Sequence, residues 1–183
     1  MRATTLLNRV FDLPGVRVTG VDLGGVDGTG QVVVEVALRA RLLACPACSF
    51  TTSRRYDRRD VDSSWRHLDL GGRVCRLRMR RRRLRCPTHG VVTQKVPFAR
   101  PGARFTADFE DLVVWLVTRS DKTTVATFAR VAWRTVGAMC ERVTNHTTRS
   151  SKSALNRAPG RANGTFWVTT PWVGHQGPGK NGV

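Results

Sequence analysis

Cys45-Pro-Ala-Cys48 and Cys86-Pro-Thr-His89 form two short ligand pairs, and Val74-Cys75-Arg76-Leu77-Arg78-Met79-Arg80-Arg81-Arg82-Arg83-Leu84-Arg85 leads into the second. Two residues between ligands let one tight turn aim both side chains at a single ion, so each pair has the spacing of a zinc knuckle. The stretch between the pairs suits a β-hairpin that brings them together. Cys45, Cys48, Cys86 and His89 would close a tetrahedral shell, leaving no open position for a catalytic water, so the expected cofactor is a structural zinc. In small peptide systems such an ion supplies folding free energy on the order of 10 kcal/mol. Two alternatives stand beside this reading: a redox pair at Cys45 and Cys48, though no βαβ pattern surrounds them, and His67 in place of His89. Cys75 and Cys140 are expected to pack in a strand and on a helix face.

The arginine run alternates strictly over residues 75–80, with Cys75, Leu77 and Met79 on one face and Arg76, Arg78 and Arg80 on the other. Leu84 breaks that parity, which predicts a bulge or strand end near residues 81–83. Seven arginines between positions 76 and 85 repel one another unless an anion lies against them. Arg76, Arg78, Arg80 and Arg82 are therefore candidate contacts to DNA phosphates, which position a protein without reading sequence. Asp57, Asp60 and Asp62 are expected to pair with Arg54, Arg55, Arg58 and Arg59 rather than to hold metal.

Upstream, residues 4–12 predict a short helix, and residues 16–23, 31–43 and 74–84 predict strands, the second carrying the β-branched run Val32-Val33-Val34-Glu35-Val36. Downstream of Pro97 the period changes. Phe105, Phe109, Leu112, Val113 and Leu116 recur at helical spacing behind Thr106 as cap. Shorter helices follow over residues 122–130 and 134–144. Val125, Ala126, Ala129, Val131, Val136 and Met139 fall where two helices close around a turn, which predicts a helix-turn-helix. Arg130 stands where such turns often use Gly. Arg134, Thr135, Arg142 and Asn145 are left on the outer face of the last helix, where a recognition helix meets base edges and phosphates. Past residue 144 the periodicity stops, and a stretch rich in Ser, Thr, Asn, Gly and Pro is expected to be disordered.

The expected class is α+β: a β-rich zinc ribbon over residues 1–97, a three-helix helix-turn-helix domain over residues 105–144, and a disordered tail over residues 145–183. With 31 Lys+Arg against 13 Asp+Glu, a formal charge of +18 and a pI near 11.6, the favoured partner is a polyanion, double-stranded DNA first. No apolar run reaches the length of a membrane span and no secretory signal opens the chain, so a cytoplasmic protein at the nucleoid is expected.

The order Cys45-Pro-Ala-Cys48, Tyr56-Asp57-Arg58-Arg59, the arginine strand, Arg85-Cys86-Pro87, Arg104-Phe105-Thr106, then Asp121-Lys122-Thr123 through Cys140-Glu141-Arg142-Val143, resembles the insertion-sequence transposases of the ISL-three family. That resemblance implies binding of terminal inverted repeats by this region. It also implies a following ribonuclease-H-like domain with an Asp-Asp-Glu triad. No Asp or Glu follows Glu141, and two-metal strand cleavage needs carboxylates. The expectation is therefore a truncated or frameshifted fragment that binds transposon ends without catalysing transposition, with a further copy or an intact transposase as its protein partner. A stand-alone zinc-ribbon and helix-turn-helix regulator is the alternative.

Overall fold

The computed structural model describes residues 3–24 and 30–155, with side chains as far as residue 148. Helix α1 (Ala3–Phe11) leads into strands β1 (Val16–Asp22) and β2 (Val32–Leu38). The short strands β3 (Leu43–Ala44) and β4 (Thr51–Thr52) follow, then the long pair β5 (Asp60–Leu70) and β6 (Arg73–Cys86), and β7 (Gly90–Thr93). Helices α2 (Ala107–Val117), α3 (Lys122–Ala129) and α4 (Trp133–Leu155) close the described chain. The main sheet runs β1-β2-β6-β5, with β7 also pairing β6, while β3 and β4 form a separate two-stranded sheet. The α+β class stands.

Period-two alternation builds the main sheet. Val16 and Val18, Val32, Val34 and Val36, Trp65, and Cys75, Leu77 and Met79 all bury toward one face. Leu7 and Phe11 of α1, with Val96 and Phe98 from the segment after β7, pack against that face. The sheet is mixed, with β2 and β6 parallel and the other pairs antiparallel, and its opposite face carries the intervening polar side chains.

β6 carries the largest departure from the sequence expectation. It contains no bulge at residues 81–83 and runs unbroken for 14 residues. It changes partner instead: residues through Arg82 pair with β5, and Arg83–Cys86 pair with β7. Leu84 and Cys86 then bury on a second, smaller core with Leu43 and Cys45. The parity break reports a strand passing from one core to another.

The partner strand β5 was legible only as half of an intervening hairpin. Its Asp and Ser residues have poor strand propensity, but Asp60 lies opposite Arg82 and Asp62 opposite Arg80, a register that sets acids rather than like charges against the arginines of β6. Gly71 and Gly72, with φ of 56° and 76°, make the connecting turn, which needs two left-handed residues. The strand expected over residues 31–43 stops at Leu38, and Leu43 belongs to the β3–β4 pair.

Val125, Ala126, Ala129, Val136 and Met139 are buried together with Phe109 and Val113, while Val131 and Cys140 pack against them half-buried. Arg130 caps α3 with φ of 53° in the left-handed region, a conformation that Gly adopts without cost. Its guanidinium compensates by reaching the ribbon: it pairs with Asp69 and donates to the Gly72 carbonyl at 3.1 Å. In return Arg66 donates to the Arg130 carbonyl at 3.1 Å. The segment joining the two parts is itself docked, with backbone hydrogen bonds of 2.9 Å from Arg66 N to Arg104 O and from Thr106 N to Arg66 O.

α4 continues to Leu155, so residues 145–155, expected to belong to the disordered tail, are helical. Hydrophobic period marks where a helix packs, not where it ends. Beyond Val143 the side chains through residue 148 are exposed, and Thr144, Thr147 and Thr148 bond the carbonyls four residues back at 2.9–3.0 Å. The remainder of the expected tail, residues 156–183, lies outside the described residues.

Thr106 joins the two parts through its fully buried hydroxyl, which accepts from Phe109 N at 3.3 Å as the cap of α2 and lies 2.9 Å from His67 Nδ1. Thr106→Ala removes a cap and leaves a buried ring nitrogen unpaired, so a loss of about 2–3 kcal/mol is expected in denaturant unfolding of the zinc-loaded protein. Thr106→Ser keeps both bonds and should lose less than half as much.

Candidate metal centre and nucleic-acid interface

The β3–β4 turn presents Cys45 and Cys48, and the turn from β6 into β7 presents Cys86 and His89. Their ligand atoms all lie within 4.8 Å of one another. Cys48 Sγ is 3.6 Å from Cys86 Sγ, and His89 Nδ1 is 3.7 Å from Cys45 Sγ and 3.6 Å from Cys86 Sγ. A zinc tetrahedron with bonds of about 2.3 Å to sulfur and about 2.0–2.1 Å to nitrogen has edges of roughly 3.8 and 3.6 Å between those atoms. The separations are ligand edges rather than hydrogen bonds, and three cysteines with one histidine form a closed donor set. The cluster fits a structural zinc. Cys45 and Cys86 are buried over Leu43 and Leu84, while Cys48 and His89 face outward.

Before metal binds, the Cys86 and Cys48 thiols diverge: burial opposes ionisation of Cys86, but hydrogen bonds from the His89 ring and from the His89 and Thr88 backbone amides bring it down to about 6, whereas Cys48 is held above the ordinary thiol value. A thiolate is the form that binds metal. His67, the competing fourth ligand, lies elsewhere. Its ring sits edge-on to Phe11 at 5.2 Å and against Thr106, and burial lowers its basicity. Cys75 is fully buried in the sheet core, where desolvation raises its thiol to about 11.

The seven arginines of the run divide between two faces. Arg78, Arg80, Arg82 and Arg85 are exposed. Arg76 is half-buried and donates to Gln31 Oε1 at 2.9 Å. Arg81 lies over Trp65 and bonds Ser63 at 2.8 Å, and Arg83 pairs with Asp57 and covers Tyr56. Only Asp60 takes a partner from the expected group, Arg55 at 2.5 Å; Asp62 lies 3.6 Å from Arg80. The Arg80–Asp62 pair is wide and solvent-exposed, so it adds little to stability and leaves Arg80 available.

On α4, Arg134 and Asn145 are exposed and Thr135 is half-buried. Arg142 departs from its expected place on the outer face. Its Nε donates to Glu110 at 2.8 Å, and Glu110, with no exposed surface, also pairs with Arg100 at 3.2 Å. A buried carboxylate needs such partners, and this one draws Arg142 inward. Sequence reasoning missed two further cations. Lys122 Nζ sits 3.3 Å from the centre of the Trp133 ring, and Gly137 leaves it room, since a Cβ there would lie 2.8 Å from that nitrogen. Arg17 on β1 shares the wet face of the sheet with the arginine run; its signal was the alternation of Val16, Arg17 and Val18. No described helix is long and apolar enough to cross a membrane.

A three-helix helix-turn-helix docked on a zinc-ligand ribbon is the architecture of a DNA-binding protein. Residues 41–89 match the family described as the zinc-finger of transposase IS204/IS1001/IS1096/IS1165, and residues 94–144 match the helix-turn-helix domain of transposase family ISL3. The transposase for insertion sequence element IS1557 of Mycobacterium tuberculosis, in strains CDC 1551 / Oshkosh and ATCC 25618 / H37Rv, is 40% identical over 114 residues. That match covers 62% of this chain and 26% of the relative, so the chain spans about a quarter of the curated relatives it matches. No solved structure matches. By these matches residues 41–144 carry the zinc-finger and helix-turn-helix portions of an ISL3-family transposase.

Metal analysis of the purified protein should find one zinc per chain. Cys48→Ser should lower zinc affinity by about 100-fold or more and loosen residues 41–93, because an open shell forfeits much of the coordination energy. His67→Asn should keep full zinc occupancy; loss of zinc in that variant would return His67 to the ligand set.

Proposed function

We propose that this polypeptide binds the terminal inverted repeats of an insertion sequence as double-stranded DNA and does not itself cut or join them. The observation that carries the reading is the arrangement of β6 and α4. β6 offers three exposed arginines with no strong acidic partner, Arg78, Arg80 and Arg82, and α4 offers an outer face with Arg134, Thr135 and Asn145. In this reading the guanidinium groups of β6 hold phosphates and set the register, while Arg134, Thr135 and Asn145 meet base edges in the major groove. Arg142 acts through Glu110, fixing α4 against α2, and Arg76 is held by Gln31. Zinc, when bound, supplies a cross-link between the β3–β4 turn and the end of β6. Cys45, Cys48, Cys86 and His89 hold that cross-link and take no part in reading DNA.

The non-cutting part of the proposal rests on carboxylates. Among the described residues, the cysteine–histidine cluster is the one group placed to hold a metal ion. Asp57, Asp60, Glu110 and Asp111 all pair with arginines. Such a polypeptide occupies transposon ends at the nucleoid and competes there with an intact transposase. The stand-alone regulator reading is less well supported, because both family matches and both relatives are transposases.

Selection of bound sequences from a random duplex pool should recover the inverted repeats that flank the gene. Replacing Arg78, Arg80 and Arg82 with Gln should weaken all duplexes alike and flatten the salt dependence by about 1–2 in log–log slope, near 0.9 per phosphate contact. Asn145→Ala should instead change base preference, by about 1–3 kcal/mol at one position. Mg²⁺- or Mn²⁺-dependent cleavage of a labelled repeat, abolished by a point change in this chain, would contradict the non-cutting reading.

A further inference from the structure

The wet face of the main sheet holds a cavity of about 320 Å³ between β1, β2, β6 and the start of the zinc-bearing lobe, lined by Arg17, Glu35, Arg78, Arg80, Arg82 and Gln94 among others. That size lies at the lower end of the range for small-molecule sites. It suits one phosphate with its sugar and is far too small for a duplex.

Four guanidinium groups border this space. Among the described residues the guanidinium groups of Arg17, Arg78 and Arg82 have no hydrogen-bond or ion-pair partner, and that of Arg80 has only the wide pair with Asp62. Ala37, opposite Arg17 on β2, keeps the floor low between Arg17 and β6. Glu35 is the one carboxylate in the lining, and its side chain packs beside Gly20, where a Cβ would come within 3.7 Å of Oε2. The charge therefore stays strongly positive, with one acid to limit how many anions fit.

Gln94 supplies an independent observation. It is 5% exposed, its backbone N–H donates to the Arg82 carbonyl at 2.9 Å, and its buried Oε1 has no hydrogen-bond partner. A buried amide end without a partner is costly. A half-turn about the last side-chain bond exchanges that oxygen for an NH2 group, which a phosphate or sugar oxygen can accept from.

We propose that this cleft is a built anchor for a single nucleotide unit of the DNA backbone, with Arg17 and Gln94 joining Arg78 and Arg82 around one phosphate. The inference rests on the DNA-binding reading above and deepens it. It turns a diffuse basic strand into one defined phosphate position and assigns a role to Arg17, which lies 61 positions before Arg78 in the chain.

The test uses the full zinc-loaded chain and three proteins: wild type, Arg17→Gln, and Arg9→Gln, which removes the same charge from α1 on the opposite side of the sheet. Nuclear magnetic resonance titration with thymidine 5′-monophosphate should show saturable shifts in β1 and β6. Arg17→Gln should weaken that binding by about tenfold or more, with Arg9→Gln unchanged and unphosphorylated thymidine silent. With duplex DNA, Arg17→Gln should reduce the salt slope by about 1, and Arg9→Gln should leave it unchanged. Absent nucleotide binding, equal binding of thymidine, or equal effects of the two substitutions would overturn the anchor. If the wild type binds DNA and Arg17→Gln keeps its slope, the anchor fails and the DNA reading stands. If the nucleotide binds as expected and no duplex does, the anchor stands as a phosphate site and the DNA reading fails.

Discussion

β6 must satisfy two cores and one polar face with a single run of 14 residues. Cys75, Leu77 and Met79 fill the main core, Leu84 and Cys86 fill the smaller one, and the residues between them carry arginines. Like charges along one strand repel, and the fold answers this in three ways. Asp60 and Asp62 lie opposite on β5, Arg81 and Arg83 turn to the other face to cover Trp65 and Tyr56, and Cys86 ends the strand in a four-ligand cluster. The cluster matters because the lobe over it is small: two short strands and a four-residue buried core are a poor substitute for a hydrophobic interior. A zinc cross-link offsets that deficit and holds the distal end of the arginine face in place.

The proximal end of the same face is held by the helices. Arg66 and Asp69 near the end of β5 grip Arg130, the left-handed cap between α3 and α4, and His67 meets the cap of α2. Arg100, Glu110 and Arg142 then lock α4 to α2 around a carboxylate with no exposed surface. Breaking such a buried pair by removing one partner is far more costly than its net contribution suggests. The orientation of α4 toward the sheet is thus set by charged contacts as much as by apolar packing. α4 is tied to β5 through α2 and through the Arg130 cap.

Much of this was legible in the sequence, for identifiable reasons. The zinc ligands depend on local spacing, and spacing survives any tertiary arrangement. The helix-turn-helix interior followed from period alone, and Val125, Ala126, Ala129, Val136 and Met139 are buried as that period requires. What escaped was non-local. Nothing near Arg142 in the chain announces Glu110, 32 positions earlier, as its partner. Leu84 predicts a bulge or strand end because periodicity cannot show that a strand changes neighbours. The end of α4 was misplaced because a projecting helix has no apolar stripe to display, and β5 was obscured by acidic residues whose compensating arginines lie on another strand.

β6 and α4 are proposed to act as one DNA-binding surface on a zinc-held frame. Amide hydrogen exchange on the zinc-loaded chain, free and bound to a terminal inverted-repeat duplex, tests this most directly. Exchange should slow on binding in both residues 76–83 and residues 133–145, with α1 unchanged. Protection confined to α4, with β6 exchanging at its free rate, would contradict it.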